Sequence, residues 1–195
     1  MALSLVVCIA FGETSPALAK GEAVTAAEEK LLQAAYDGNL EIVRQLVSSG
    51  VNINCRGNGS QTALLHASFQ SHNDVAFFLL DHNAKADVQN SRGDTPVIDA
   101  AASNNLPLLK RLVDAGADIN KAENQKGRTA LMLASRHNYR GVIEYLLHRH
   151  KIHVLTRDFY GANALHYALE NGDAETIGWV RVATNKARSK SVRHQ

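Results

Sequence analysis

One six-residue phrase recurs along this chain at a nearly fixed interval. It reads Thr62-Ala-Leu-Leu-His-Ala67, Thr95-Pro-Val-Ile-Asp-Ala100, Thr129-Ala-Leu-Met-Leu-Ala134 and Asn163-Ala-Leu-His-Tyr-Ala168. The copies start 33, 34 and 34 residues apart, and a degenerate copy, Glu29-Lys-Leu-Leu-Gln-Ala34, stands 33 residues before the first. A period of this length marks one supersecondary unit stacked on itself, because a single unit cannot cover its own apolar face. A stack offers an extended surface rather than a central pocket. Recognition of another protein is therefore the leading functional expectation.

The copy beginning at Thr95 shows the local physics most plainly. Thr95 suits a helix N-cap, and Pro96 suits the first helical position, where its missing N–H would have no partner. Asn104-Asn105 closes this helix, since Asn tolerates the left-handed backbone that a sharp turn needs. A second helix is predicted from about Leu106 to Ala115, with Leu108, Leu109, Leu112 and Val113 as its apolar stripe and Gly116 as its stop. The other copies repeat these types at the same offsets. The interhelical turn holds Gly38, Ser71, Asn104, Asn138 and Gly172, mostly residues that accept a positive φ. Ala34, Ala67, Ala100, Ala134 and Ala168 share one offset, where a small side chain lets helices approach closely.

The pattern resembles the ankyrin repeat. The resemblance rests on Gly93-Asp-Thr-Pro-Val-Ile-Asp-Ala-Ala101 and Gly116-Ala-Asp-Ile-Asn120, supported by Gly127-Arg-Thr-Ala-Leu131 and Leu146-Leu147. It implies an all-α solenoid of about five helix-turn-helix units, each followed by a loop projecting as a hairpin finger. The units fall near residues 25–57, 58–90, 91–124, 125–158 and 159–182, so the repeat domain covers residues 20–182. The sequence departs from the family phrase in its fourth position, where only His166 supplies the usual histidine. Repeats three and four also each carry one extra loop residue.

The two ends differ from the middle. Ala2 to Phe11 is an apolar run of the length of a signal-peptide core, Gly12 and Pro16 break it, and Ala17-Leu18-Ala19 has the small-x-small form of a cleavage site. Residues 1–19 are expected to be a cleaved export signal, which places the mature chain in a bacterial periplasm or outside the cell. Without cleavage the chain is expected in the cytoplasm. No Lys or Arg precedes the apolar run, and the run is too short to span a bilayer as a helix. Cleavage would remove Cys8 and leave Cys55 alone, without an internal disulfide partner. Residues 183–195 are basic and read as a solvated, frayed tail without core residues.

Reactive constellations are missing from the sequence. Gly57-Asn-Gly59 lacks the rest of a phosphate-binding loop, and neither a Cys-x-x-Cys nor a Gly-x-Ser-x-Gly is present. No enzyme activity and no cofactor are expected. A net charge of +2 and an aromatic content of 6% also argue against nucleic acid as the partner. One local cluster stands out: His148, His150 and His153 lie within six residues, with Asp158 five residues beyond. Three imidazoles at that spacing can ligate zinc or copper, which supports an alternative metal-handling or stress-protective role. Arg149 and Lys151 between them oppose a cation. A further alternative is an effector secreted to a host.

The resemblance implies that a partner meets the finger tips and the exposed ends of the first helices. By offset, the expected binding residues are Tyr36, Phe69, Arg136 and His137 at helix ends, with Arg92, Lys126, Arg128, Phe159 and Tyr160 in the loops. Aromatic residues and Arg dominate binding energy at interfaces. Arg92, Lys126, Arg128 and Arg136 together read as a mildly basic strip, which suits an acidic patch on a protein partner. The chain itself is expected to be a monomer.

Overall fold

The computed structural model describes residues 24–149 and 151–192. The expected export signal and His150 lie outside the described residues. Ten α-helices follow in order: α1 (Ala26–Tyr36), α2 (Leu40–Ser48), α3 (Ala63–Phe69), α4 (Asn73–Asp81), α5 (Pro96–Ala102), α6 (Leu106–Asp114), α7 (Ala130–His137), α8 (Arg140–Leu147), α9 (Ala164–Asn171) and α10 (Ala174–Val192). The first residue of the recurring phrase starts each of the later inner helices. Thr62, Thr95, Thr129 and Asn163 accept hydrogen bonds from the amides of Leu65, Ile98, Met132 and His166, satisfying donors that a helix end leaves open. In the degenerate first copy Glu29 cannot do this. Thr25 caps instead, in a reciprocal box with Glu28, so α1 begins earlier and is longer than its equivalents.

All five predicted interhelical turn residues are left-handed, with φ from 54° at Asn138 to 78° at Gly172. The tight turn folds each second helix back against the first. The first helices α1, α3, α5, α7 and α9 then pack side by side in an inner row, and α2, α4, α6, α8 and α10 form an outer row. The shared alanine column lies inside the inner row, at 4% exposure for Ala34 and 0% for Ala67, Ala100, Ala134 and Ala168. The outer stripe of each unit faces the same seam. Leu108, Leu109 and Leu112 are fully buried there, each contributing about 1.5–3 kcal/mol by leaving water.

Fingers join the pairs and are tied to one another through the backbone. The Ser91 N–H donates to the Gly59 carbonyl at 2.8 Å, Asn124 to Arg92 at 2.7 Å, and Phe159 to Lys126 at 2.9 Å. The last three tips are each closed from inside by one side chain. Asn90 Oδ1 accepts the amides of Arg92 and Asp94, both at 2.9 Å. Asp158 Oδ1 does the same for Tyr160 and Ala162. The third tip has the extra residue, and Glu123 reaches in from one position earlier to take the amides of Gln125, Lys126 and Arg128. Below the tips a second set of side chains bridges successive units: Asn54 to the Lys85 amide, Asp87 to that of Asp118, and Asn120 to that of His153.

The C-terminal boundary needs correction. The segment from residue 183 was expected to be a frayed tail, yet α10 runs unbroken to Val192. Thr184 is buried and donates its hydroxyl to the Val180 carbonyl at 2.7 Å, while Ala183 and Ala187 pack against the core. Small residues were missed as core formers because they carry little hydrophobic signal, although one face of the helix is covered by α8 and α9. No helix among the described residues is long and apolar enough to cross a membrane.

Candidate protein-binding face

The expected binding residues fall into two rows set by the repeat. Tyr36, Phe69 and Arg136 occupy the last turns of α1, α3 and α7, at one offset from the first residue of the recurring phrase. Arg92, Lys126, Phe159 and Tyr160 occupy the finger tips. At the N-terminal end of the stack Tyr36 borders an open hollow. It measures about 730 Å³ and is lined by Gln33 and Tyr36 from α1, His66 from α3, and Gly57 and Asn58 from the first finger. The Tyr36 ring stands edge-on to His66, with centroids 5.5 Å apart.

Four of the six large apolar side chains exposed among the described residues are aromatic rings of this face. Exposure is 40% at Tyr36, 57% at Phe69, 69% at Phe159 and 76% at Tyr160. Phe159 is only partly free, because its ring lies over Gly127 so closely that a Cβ there would come within 2.8 Å of it. Arg136 is exposed and its backbone carbonyl is held by Asn171 at 2.9 Å. His137 is exposed and stacks on Tyr139.

The basic strip is weaker than its composition implied. Arg92 is drawn to Asp94 at 2.9 Å. Arg128 pairs with Glu123 at 3.3 Å, and their side chains retain only 16% and 5% exposure. Arg128 therefore serves the finger from within. Burial alone would raise the Glu123 carboxyl, but the Lys126 and Gln125 amides and the Arg128 guanidinium hold it below the usual range. Lys126 and Arg136 form no ion pair among the described residues. Charge offset was invisible in the sequence because Glu123 and Arg128 meet only when the extra loop residue folds inward.

A column that sequence reasoning passed over starts at this hollow with His66. It is the fifth residue of the phrase: His66, Asp99, Leu133 and Tyr167. Tyr167 is buried and donates its hydroxyl to Asp158 Oδ2. Burial pushes the Tyr167 phenol up to about 12, and the bond to Asp158 adds to the rise. Burial also pushes Asp99 up, to about 7, with Asp94 adding and Arg92 opposing. His66 is lowered by burial and is neutral near pH 7. A polar residue recurring at a fixed offset among apolar ones was the available signal.

The histidine cluster does not assemble into a metal centre among the described residues. His148 donates Nδ1–H to the Glu144 carbonyl at 2.7 Å, closing the end of α8. His153 is exposed, with its amide held by Asn120. Asp158 is spent on Tyr160, Ala162 and Tyr167. Nowhere among the described residues do three His, Cys, Asp or Glu side chains stand close enough to hold a metal ion. Cys55 is buried, and its thiol is pushed up to about 11 by burial with help from the Glu28 charge. That environment makes it a small core residue rather than a reactive thiolate.

Known proteins share this organisation. The family model for ankyrin repeats, in three copies, matches residues 31–123 and 99–186. The nuclear factor NF-kappa-B p105 subunit of Gallus gallus is 29% identical over 146 residues, covering 73% of this chain and 15% of that protein. Serine/threonine-protein kinase 12 of Arabidopsis thaliana is 35% identical over 45% of this chain and 19% of its own length. Alpha-latrotoxin-Lg1a of Latrodectus geometricus is 29% identical over 67% of this chain and 10% of its own. The chain thus spans less than a fifth of each of these relatives, and the likeness lies in the repeats. Stacks of this kind are protein-interaction modules and typically non-catalytic. With ten helices in two rows, five left-handed turns and a matching family model over most of its length, this chain belongs to the ankyrin-repeat family.

Proposed function

We propose that the chain is a non-catalytic scaffold or adaptor that grips a protein partner between its finger tips and the ends of its inner helices. The observation that carries this reading is the exposure of Tyr36, Phe69 and Tyr160 at repeat-related positions, with Tyr36 bordering an open hollow. Large rings left in water at regular offsets are anchors for an interface. Arg136 and Lys126 add two cations without an ion-pair partner among the described residues, which suits carboxylates on the bound protein. The apolar run Ala2 to Phe11 and the small-x-small site at Ala17-Leu18-Ala19 support action in the periplasm.

The test is capture of partners by the full mature chain and by a variant with alanine at Tyr36, Phe69, Arg136 and Tyr160. Proteins bound by the parent should be absent from the quadruple variant, with its melting temperature little changed. Retention of the same proteins would reject this face. Amino-terminal sequencing of the exported protein addresses the compartment: a start at Lys20 is expected, and an intact Met1 in a soluble cell fraction would reject export.

A further inference from the structure

The last repeat carries a second groove of different character, away from the finger tips. It is a hollow of about 470 Å³ between the end of α8, the loop that follows it and the α8-facing side of α10. His148, Arg149, Lys186 and Lys190 stand around it, and its floor is apolar, made by Leu147, Ile152 and Val154. No Asp or Glu among the described residues lines it. From Thr176 onward the chain has five basic residues and no acidic one. Glu144 faces the adjoining hollow of about 540 Å³, which His148 and Lys186 also border, but it forms no ion pair with either.

Some outer-row cations are matched across units: Arg111 to Asp81, and Arg140 to Asp173 and Glu175. Others rest on rings, Arg44 over Phe78 and Lys110 over Tyr145. Lys121 is matched to Asp87 at 2.8 Å. Lys186 and Lys190 instead sit one turn apart on the same face of α10, a like-charge arrangement that costs helix stability unless an anion relieves it. The Arg149 guanidinium is held in place, 4.1 Å from the Tyr145 ring centre, with its Nε–H directed at the Tyr145 carbonyl.

We propose that this groove binds an acidic, partly apolar peptide segment of a partner protein. Charge complementarity favours carboxylates at the rim, and the floor favours an aliphatic side chain between them. The spacing fits an extended strand: Lys186 and Lys190 are about 6 Å apart along the helix axis, and alternate residues of an extended chain are about 6–7 Å apart. A bilayer surface fits less well, because Val154 is buried and Leu147 and Ile152 are half-buried, so the floor is recessed behind the charged rim. Nucleic acid fits less well too. The Tyr145 ring is covered by Arg149 and offers no open face for a base.

The experiment is fluorescence anisotropy of the full chain with a fluorescein-labelled peptide of three Glu-Leu pairs, at low salt. The acidic peptide should bind, and its Lys-Leu counterpart should not. Lys186→Glu with Lys190→Glu should weaken binding by about tenfold or more, while Lys30→Glu with Lys85→Glu, an equal change of net charge elsewhere, should leave it within about twofold. Circular dichroism would show that both double variants keep their helices. Absence of binding, equal loss in both double variants, or preferential capture of phosphatidylserine vesicles through Lys186 and Lys190 would each overturn the proposal.

Discussion

The third and last units begin with similar inner helices and then diverge in their outer ones. In α6 a short apolar stripe is buried completely at Leu108, Leu109 and Leu112, because α4 flanks it on one side and α8 on the other. Among the described side chains of α10 only Thr176, Val180 and Thr184 reach 0% exposure, while Val182 stays 68% exposed. A central helix has two row neighbours and a terminal helix has one. The terminal unit therefore buries a narrower stripe, uses smaller side chains, and extends to 19 residues. Stability is concentrated in the middle of the stack, and a like-charge pair, Lys186 and Lys190, stands at its end.

The sharpest way to break this comparison is a pair of truncations. Leu112→Ala should cost roughly 2–5 kcal/mol, since the cavity it leaves is enclosed on both sides. Val182→Ala should fall within about 0.5 kcal/mol of the parent, as a surface change. Urea unfolding of the two variants side by side is the measurement. Similar midpoints would mean that the two units are equally packed.

The finger tips give the next largest effect. Glu123→Ala leaves the Gln125 and Lys126 amides and the Arg128 guanidinium without their acceptor, and should cost about 1–3 kcal/mol. Because partner residues Lys126 and Phe159 hang on this tip through the backbone, partner affinity should fall with it. If stability drops but affinity does not, the third finger lies outside the interface.

Asp99 offers a pH test. Its carboxyl is pushed from 3.8 up to about 7 in the folded chain, so folding favours the protonated form. The linked stability is fully present below about pH 3.8, declines as pH rises, and is lost by about pH 7. Asp99→Asn should remove that decline and be roughly 1–2 kcal/mol more stable than the parent at pH 8. Melting curves from pH 4 to pH 8 would check this. Parallel curves for both proteins would show that Asp99 is solvated.

The smallest expected effect is a gain. Ser71 holds φ 61° at the turn where Gly or Asn stands in the other units. Ser71→Asn should therefore add about 0.5–1 kcal/mol. The same change made at exposed Ser189 in α10 should add nothing.

Much of the scaffold was readable in advance for a stated reason. Thr95, Pro96, Asn104 and Gly116 act through local backbone chemistry, and such chemistry depends on few neighbours. The exposed offsets of Tyr36, Phe69 and Tyr160 follow from the same periodicity. Arg128 was misjudged as a surface cation because its partner Glu123 comes from the far side of a loop. The basic C-terminal segment was misjudged because Ala183, Thr184 and Ala187 look polar or neutral in sequence, and only the neighbouring helices turn them into a core face.

The amino-acid sequence by itself determined the repeat length, the caps, the left-handed turns and the row of small residues that lets inner helices touch. Tertiary structure alone decided which charges remain free, which carboxylates are buried, and where grooves open between units. The first set depends on interactions within a helical turn or two. The second depends on groups some 30 residues apart meeting across the stack, as Asn54 does with Lys85 and Arg140 with Asp173, and a one-residue loop insertion is enough to change which groups meet.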